Sequence, residues 1–201
     1  MPRHRSHSSP AATACAIRAA VAAFGLLLAG AAAAADFSIG VGAGLDHGKV
    51  DCVASFACDR SSAFGKLTVG YRAADAVELE AIFLGSGKFK GGDTTPRGTE
   101  FGGSFEVRGV GVTAGYRFDV APGWSVTARA GAAAVRTRFD YENSAYGSAS
   151  KSLLEPLGGI GVGYALTPSL NIGVDYDVTR FKVHTQHGVL QMLGVAVRYS
   201  F

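Results

Sequence analysis

Residues 193–201 read Leu-Gly-Val-Ala-Val-Arg-Tyr-Ser-Phe. Leu193, Val195, Val197, Tyr199 and Phe201 take every second place, with Gly194, Ala196, Arg198 and Ser200 between them. A period of two is the mark of a β-strand with one apolar face. What decides the fold is how often this pattern recurs.

It recurs in eight segments of about ten residues, the length of a bilayer-crossing strand. They are 37–45, 66–72, 77–85, 105–118, 124–134, 157–166, 170–178 and 193–201. The fourth slips phase near Arg108 and Gly109, which predicts a bulge there. Short turns at 73–76, 119–123 and 167–169 alternate with long polar stretches at roughly 46–63, 86–103, 140–152 and 180–188. Both ends of the segment series therefore fall on the short-turn side.

The second face of these segments is rich in glycine, of which the chain has 28, with a few charges. Glycine weakens a solvent-facing strand. Inside a narrow eight-stranded barrel it leaves room for large side chains. A water-soluble barrel needs bulky apolar residues inside and polar ones outside; this sequence is the reverse. The apolar face therefore faces lipid, and the sheet must close to satisfy its backbone. The fold class read here is all-β: an eight-stranded antiparallel up-and-down transmembrane β-barrel. Tyr71, Trp124 and Tyr164, with Phe118, Tyr199 and Phe201, form an aromatic girdle at the short-turn interface. Alternation points Glu78, Glu80, Arg129, Asp175, Asp177 and Arg198 into the lumen. Unpaired buried charge is costly, so Glu80 is paired with Arg129, and Asp175 or Asp177 with Arg198, as structural pairs rather than a gate.

The first 35 residues read as a cleaved signal peptide: a basic start, an apolar run, then Ala33-Ala34-Ala35 before Asp36. The domain is then 36–201. Of the 19 basic residues, Arg3, Arg5 and Arg18 leave with the leader, so the remainder matches its 16 acidic residues and is neutral. A neutral domain offers nothing to nucleic acid. Cys52 and Cys58 in an exported chain are expected as a disulfide. Asp51, Asp59 and His47 nearby are too few for zinc. Neither metal nor cofactor is expected.

The stretches 67–85 and 170–178 resemble the second hairpin and seventh strand of small eight-stranded outer-membrane barrels. That family is the one related to the transmembrane domain of OmpA, of OmpX, NspA and opacity type. The resemblance implies that Val195, Val197, Tyr199 and Phe201 are a signal read by the outer-membrane assembly machinery. OmpA itself continues into a peptidoglycan-binding domain, whereas this sequence is barrel to its last residue. The resemblance also implies the outer membrane of a Gram-negative bacterium, with lipid, lipopolysaccharide and the assembly machinery as partners. A host or surface ligand would meet the long loops, in an adhesion-like role. A narrow channel for small solutes or hydrophobic compounds is the alternative, and a lipid-modifying enzyme the third reading. The chain is expected not to be an enzyme: His47, His184, His187, Ser144, Ser148 and Ser150 form no nucleophile motif. Residues 109–114 match a dinucleotide pattern but lack the helix it needs.

Overall fold

The computed structural model describes residues 37–49, 59–94, 100–142, 147–183 and 186–201. The leader, both cysteines, Ser144 and His184 lie outside the described residues. The rest is strand and turn. β1 is Phe37–Lys49, β2 Ser61–Ala74, β3 Val77–Ser86 and β4 Phe89–Thr94. β5 is Glu100–Ala121, β6 Trp124–Tyr141, β7 Ser148–Ala165, β8 Leu170–Val183 and β9 Gln186–Ser200. All ladders between neighbours are antiparallel, and β1 closes on β9 from Ser38 opposite Ser200 to Lys49 opposite Val189.

β3 and β4 both pair with β5, β3 against 108–116 and β4 against 100–105. They are two lengths of one wall strand, so the nine segments make a closed eight-stranded barrel. At the join, residues 86–88 oppose only Glu106 and Val107. The backbone N–H of Val107 donates instead to the Ser86 hydroxyl at 2.8 Å. The N–H of Gly87 donates to the Ala63 carbonyl at 2.7 Å. This is a bulge, and it corrects the expectation for Arg108 and Gly109. β5 itself pairs with β6 without a break from Gly103 to Asp119. The apparent slip in its pattern has another cause. Phe105 and Val107 point inward, into an apolar part of the interior, while Arg108 points outward.

Most of the described residues in the stretches expected as long loops prove to be strand. β5 runs for 22 residues and β6 and β7 for 18 each, whereas a tilted strand crosses hydrocarbon in about ten. Outward positions on β5 are apolar from Phe118 to Val110, then change to Arg108 and Glu106. On β6 they are apolar from Trp124 to Ala134, then Arg136 and Arg138 follow. The wall therefore stands above the apolar belt on the long-loop side. On the other side the turns are tight: Pro122 is followed by Gly123 at φ 78°, the conformation a type II turn demands.

Candidate functional site

The barrel interior has two storeys. The lower one, toward the short turns, is charged. Lys66 from β2 and Glu78 and Glu80 from β3 meet Arg129 from β6, Asp175 and Asp177 from β8 and Arg198 from β9. Each reaches the lumen because period-two alternation turns it inward beside glycines that concede the space. A Cβ on Gly159 would strike the Asp177 carboxylate, and one on Gly161 the Asp175 carboxylate. The β7 glycines are thus the seats of the β8 aspartates.

The charges form one connected chain. Arg129 places Nη2 2.7 Å from Asp177 Oδ1 and Nε 2.9 Å from the same oxygen. Lys66 Nζ lies 2.6 Å from Asp177 Oδ2 and 2.8 Å from Asp175 Oδ2. Arg129 also reaches Asp175 at 3.4 Å and Glu80 at 3.8 Å. Arg198 holds Glu80 at 2.6 Å and Glu78 at 3.5 Å. Arg117 closes the chain, 3.9 Å from Glu78. Lys66, Arg129 and Arg198 thus face Glu78, Glu80, Asp175 and Asp177, and Arg117 makes up the balance at the exposed end, where it lies closer to Asp119, at 3.1 Å. Balance matters because the Arg129 side chain is only 1% exposed and Asp177 only 2%. Single charges there, away from water, would cost several kcal/mol each.

All six lumen charges read from the sequence lie in this network. The pairing differs in part. Glu80 does face Arg129, but its shorter contact is with Arg198. Neither aspartate makes an ion pair with Arg198; both are held by Lys66 and Arg129. Lys66 reaches the aspartates ahead of Arg198 because the ladders set it one inward step higher: Lys66 shares the row of Gly42 and Ala196, Arg198 the row of Gly40 and Thr68. Lys66 was legible as an inward position of the second segment, two residues before Thr68.

The upper storey is apolar. Phe89 and Phe105 stack with ring centroids 5.0 Å apart, and Phe105 and Phe181 stack at 5.7 Å. Phe64, Ile82, Val107, Val135, Leu190 and Met192 pack around them, all buried. Among the described residues Asp46, Thr137 and Thr179 interrupt this storey; Asp46 is 2% exposed and neither carboxylate oxygen has a hydrogen-bond partner. Below, a cavity of about 30 Å³ remains between Lys66, Thr68, Ser125, Arg129 and Arg198, room for a water or two.

Within the belt the outer face carries large apolar side chains, among them Val41, Leu79, Val112, Ile160, Val174 and Val195, all exposed. Tyr71, Trp124 and Tyr164 are exposed near the short turns, Trp124 and Tyr164 with centroids 5.0 Å apart. Val195, Val197 and Tyr199 line the outward face of β9.

The family model for the outer membrane protein beta-barrel domain matches residues 19–201. Among solved structures, Neisserial surface protein A (NspA) superposes with a TM-score of 0.61 at 16% identity, over 82% of this chain and 97% of that one. Ail, the attachment invasion locus protein of Yersinia pestis, gives 0.51 at 19%, over 82% and 99%. OprG of Pseudomonas aeruginosa gives 0.50 at 14%, over 83% and 96%. At these identities the likeness is one of fold. No curated protein matches the sequence. A closed antiparallel barrel, apolar outside and charged within, accords with the match over nearly the whole chain: this protein belongs to the outer membrane protein β-barrel domain family.

Proposed function

We propose that this outer-membrane barrel is a closed, non-enzymatic scaffold that carries surface-interacting loops. The observation behind this reading is the two-storey interior. A solute would have to part the Arg129–Asp177 contacts and then pass the Phe89–Phe105–Phe181 stack. Burial of such groups against one another makes that path costly at both levels. Function then falls to what the rigid wall holds outside the membrane. The wall does rise above the apolar belt on the long-loop side. Ail, of the same fold, is a named attachment protein and has been solved with a heparin analogue, sucrose octasulfate. That makes a sulfated glycan a sensible first probe.

Export by residues 1–35 and insertion through the motif Val195, Val197, Tyr199 and Phe201 belong to the same proposal. So do the Cys52–Cys58 disulfide and an aromatic girdle at Tyr71, Trp124 and Tyr164. Outer-membrane lipid, lipopolysaccharide and the assembly machinery are the proposed partners. The test is a loop exchange. Residues 50–58, 95–99 and 143–146 are each replaced by glycine-serine, and binding of the intact protein to immobilised heparin and to cultured cells is measured. Loss of binding with an unchanged barrel supports the proposal. Full binding without these segments refutes it.

A further inference from the structure

Two arginines face each other on the outside of the barrel. Arg108 of β5 and Arg136 of β6 are direct cross-strand partners. Like charges placed opposite one another destabilise a sheet. Each neighbouring cation has an acid: Glu106 lies 3.3 Å from Arg108, and Asp140 lies 3.1 Å from Arg138. Arg136 has only the Ser150 hydroxyl, at 3.4 Å, and no acidic partner among the described residues. The outward patch therefore keeps one uncompensated guanidinium, beside an Arg108 side chain that is 71% exposed.

The ladder registers fix where this patch sits. One row of the wall runs Ala43, Gly65, Gly85, Arg108, Arg136, Ser152. The row beneath it, toward the short turns, runs Val41, Leu67, Phe83, Val110, Ala134, Leu154. That lower row is wholly apolar. The arginines thus stand one step above the top of the lipid-facing belt, where hydrocarbon gives way to headgroups. Gly65 and Gly85 in the same row are bare: a Cβ on either would meet nothing within 4 Å. The wall there is a shallow dent, floored by backbone and bordered below by Leu67 and Phe83.

We propose that Arg108 and Arg136 bind the phosphate of a membrane lipid in the leaflet on the long-loop side, with an acyl chain entering at the Gly65–Gly85 dent and running down over Leu67 and Phe83. Guanidinium pairs take phosphate through several charge-assisted hydrogen bonds. An apolar row directly below supplies the surface for the chain, so one molecule satisfies both features. The proposal rests on the outer-membrane lipid partnership proposed above and not on what the loops bind.

The test uses the whole protein refolded in neutral detergent, with native mass spectrometry of retained lipid. The probes are diphosphoryl lipid A, phosphatidylcholine and inorganic phosphate. Lipid A is retained over phosphatidylcholine, and Arg108→Gln or Arg136→Gln each weakens retention about tenfold, the size of one lost charge-assisted contact. Arg180→Gln, outward on β8 and outside this row, leaves retention unchanged. Gly85→Phe fills the dent without touching a charge and also lowers retention, so the proposal stays testable if an arginine variant fails to fold. Equal retention by the wild type and both arginine variants would overturn it. Displacement of lipid A by inorganic phosphate at the same concentration would overturn it too, since that marks a site for free anions.

Discussion

Arg129 of β6 and Asp177 of β8 touch through two guanidinium nitrogens on one carboxylate oxygen, at 2.7 and 2.9 Å, across the inside of the barrel. β7 lies between their strands, and it spans the gap with Gly159, whose missing side chain is the space the contact occupies. This pair joins the two halves of the charged storey, with Lys66 and Asp175 on one side and Glu80 and Arg198 on the other.

Removing Arg129 leaves Glu80, Asp175 and Asp177 with only Arg198 and Lys66, one positive charge short in a buried place, so Arg129→Met is expected to lower stability by about 3–5 kcal/mol, the usual effect of breaking a buried pair from one side. Urea unfolding from lipid vesicles, followed by tryptophan fluorescence of Trp124, measures it. Arg129→Met with Asp177→Leu recovers part of the loss, because the second change removes the orphaned charge. A double variant no better than the single one would mean that the pair is not the unit of the network.

Gly159 and Gly65 make a matched contrast. Alanine at 159 meets the Asp177 carboxylate, with Arg129 Nε at 3.0 Å and the Tyr176 carbonyl at 2.9 Å. It is expected to cost about 1–3 kcal/mol, as overpacking does. Alanine at 65 faces open space and stays within about 0.5 kcal/mol of wild type, as exposed substitutions usually do. The same unfolding assay separates them, and equal effects would contradict the inward assignment of Gly159.

Phe181 is fully buried in the upper storey. Phe181→Ala opens a cavity next to Phe105 and is expected to cost about 3–5 kcal/mol. Conductance of this single variant stays closed, because the charged storey beneath is intact.

The proposed insertion motif has its own signature. Deleting Phe201 is expected to reduce the amount of protein reaching the outer membrane in cells while leaving refolding in detergent unchanged. Heat-dependent gel mobility reads both. A matching loss in detergent would assign the residue to barrel stability instead.

Alternation alone made the lower storey legible. Glu78, Glu80, Arg129, Asp175, Asp177 and Arg198 all follow from counting by twos, and so did Lys66. Which partner each would choose was not legible, since that depends on the height each strand reaches inside the barrel. A register of Gly70 with Glu80 and Gly159 with Asp177 is a property of the closed sheet. The upper storey was hidden for a different reason. Where the interior turns apolar, both faces of a strand hold apolar or mixed residues, and the alternation fades. Phe105 and Val107 then read as a slip in phase. Continuing the count upward from Asp177 through Thr179 to Phe181, or from Lys66 to Phe64, would have revealed it. The same fading made the upper ends of the strands look like loops.

The central claim is that the lumen is closed, and conductance tests it most directly. The refolded barrel, residues 36–201, is placed in a planar lipid bilayer, with insertion confirmed by heat-dependent gel mobility. The wild type is expected to be silent, and Arg129→Ala combined with Phe89→Ala, Phe105→Ala and Phe181→Ala to give steady openings. Steady openings from the wild type would contradict the account and make the barrel a channel.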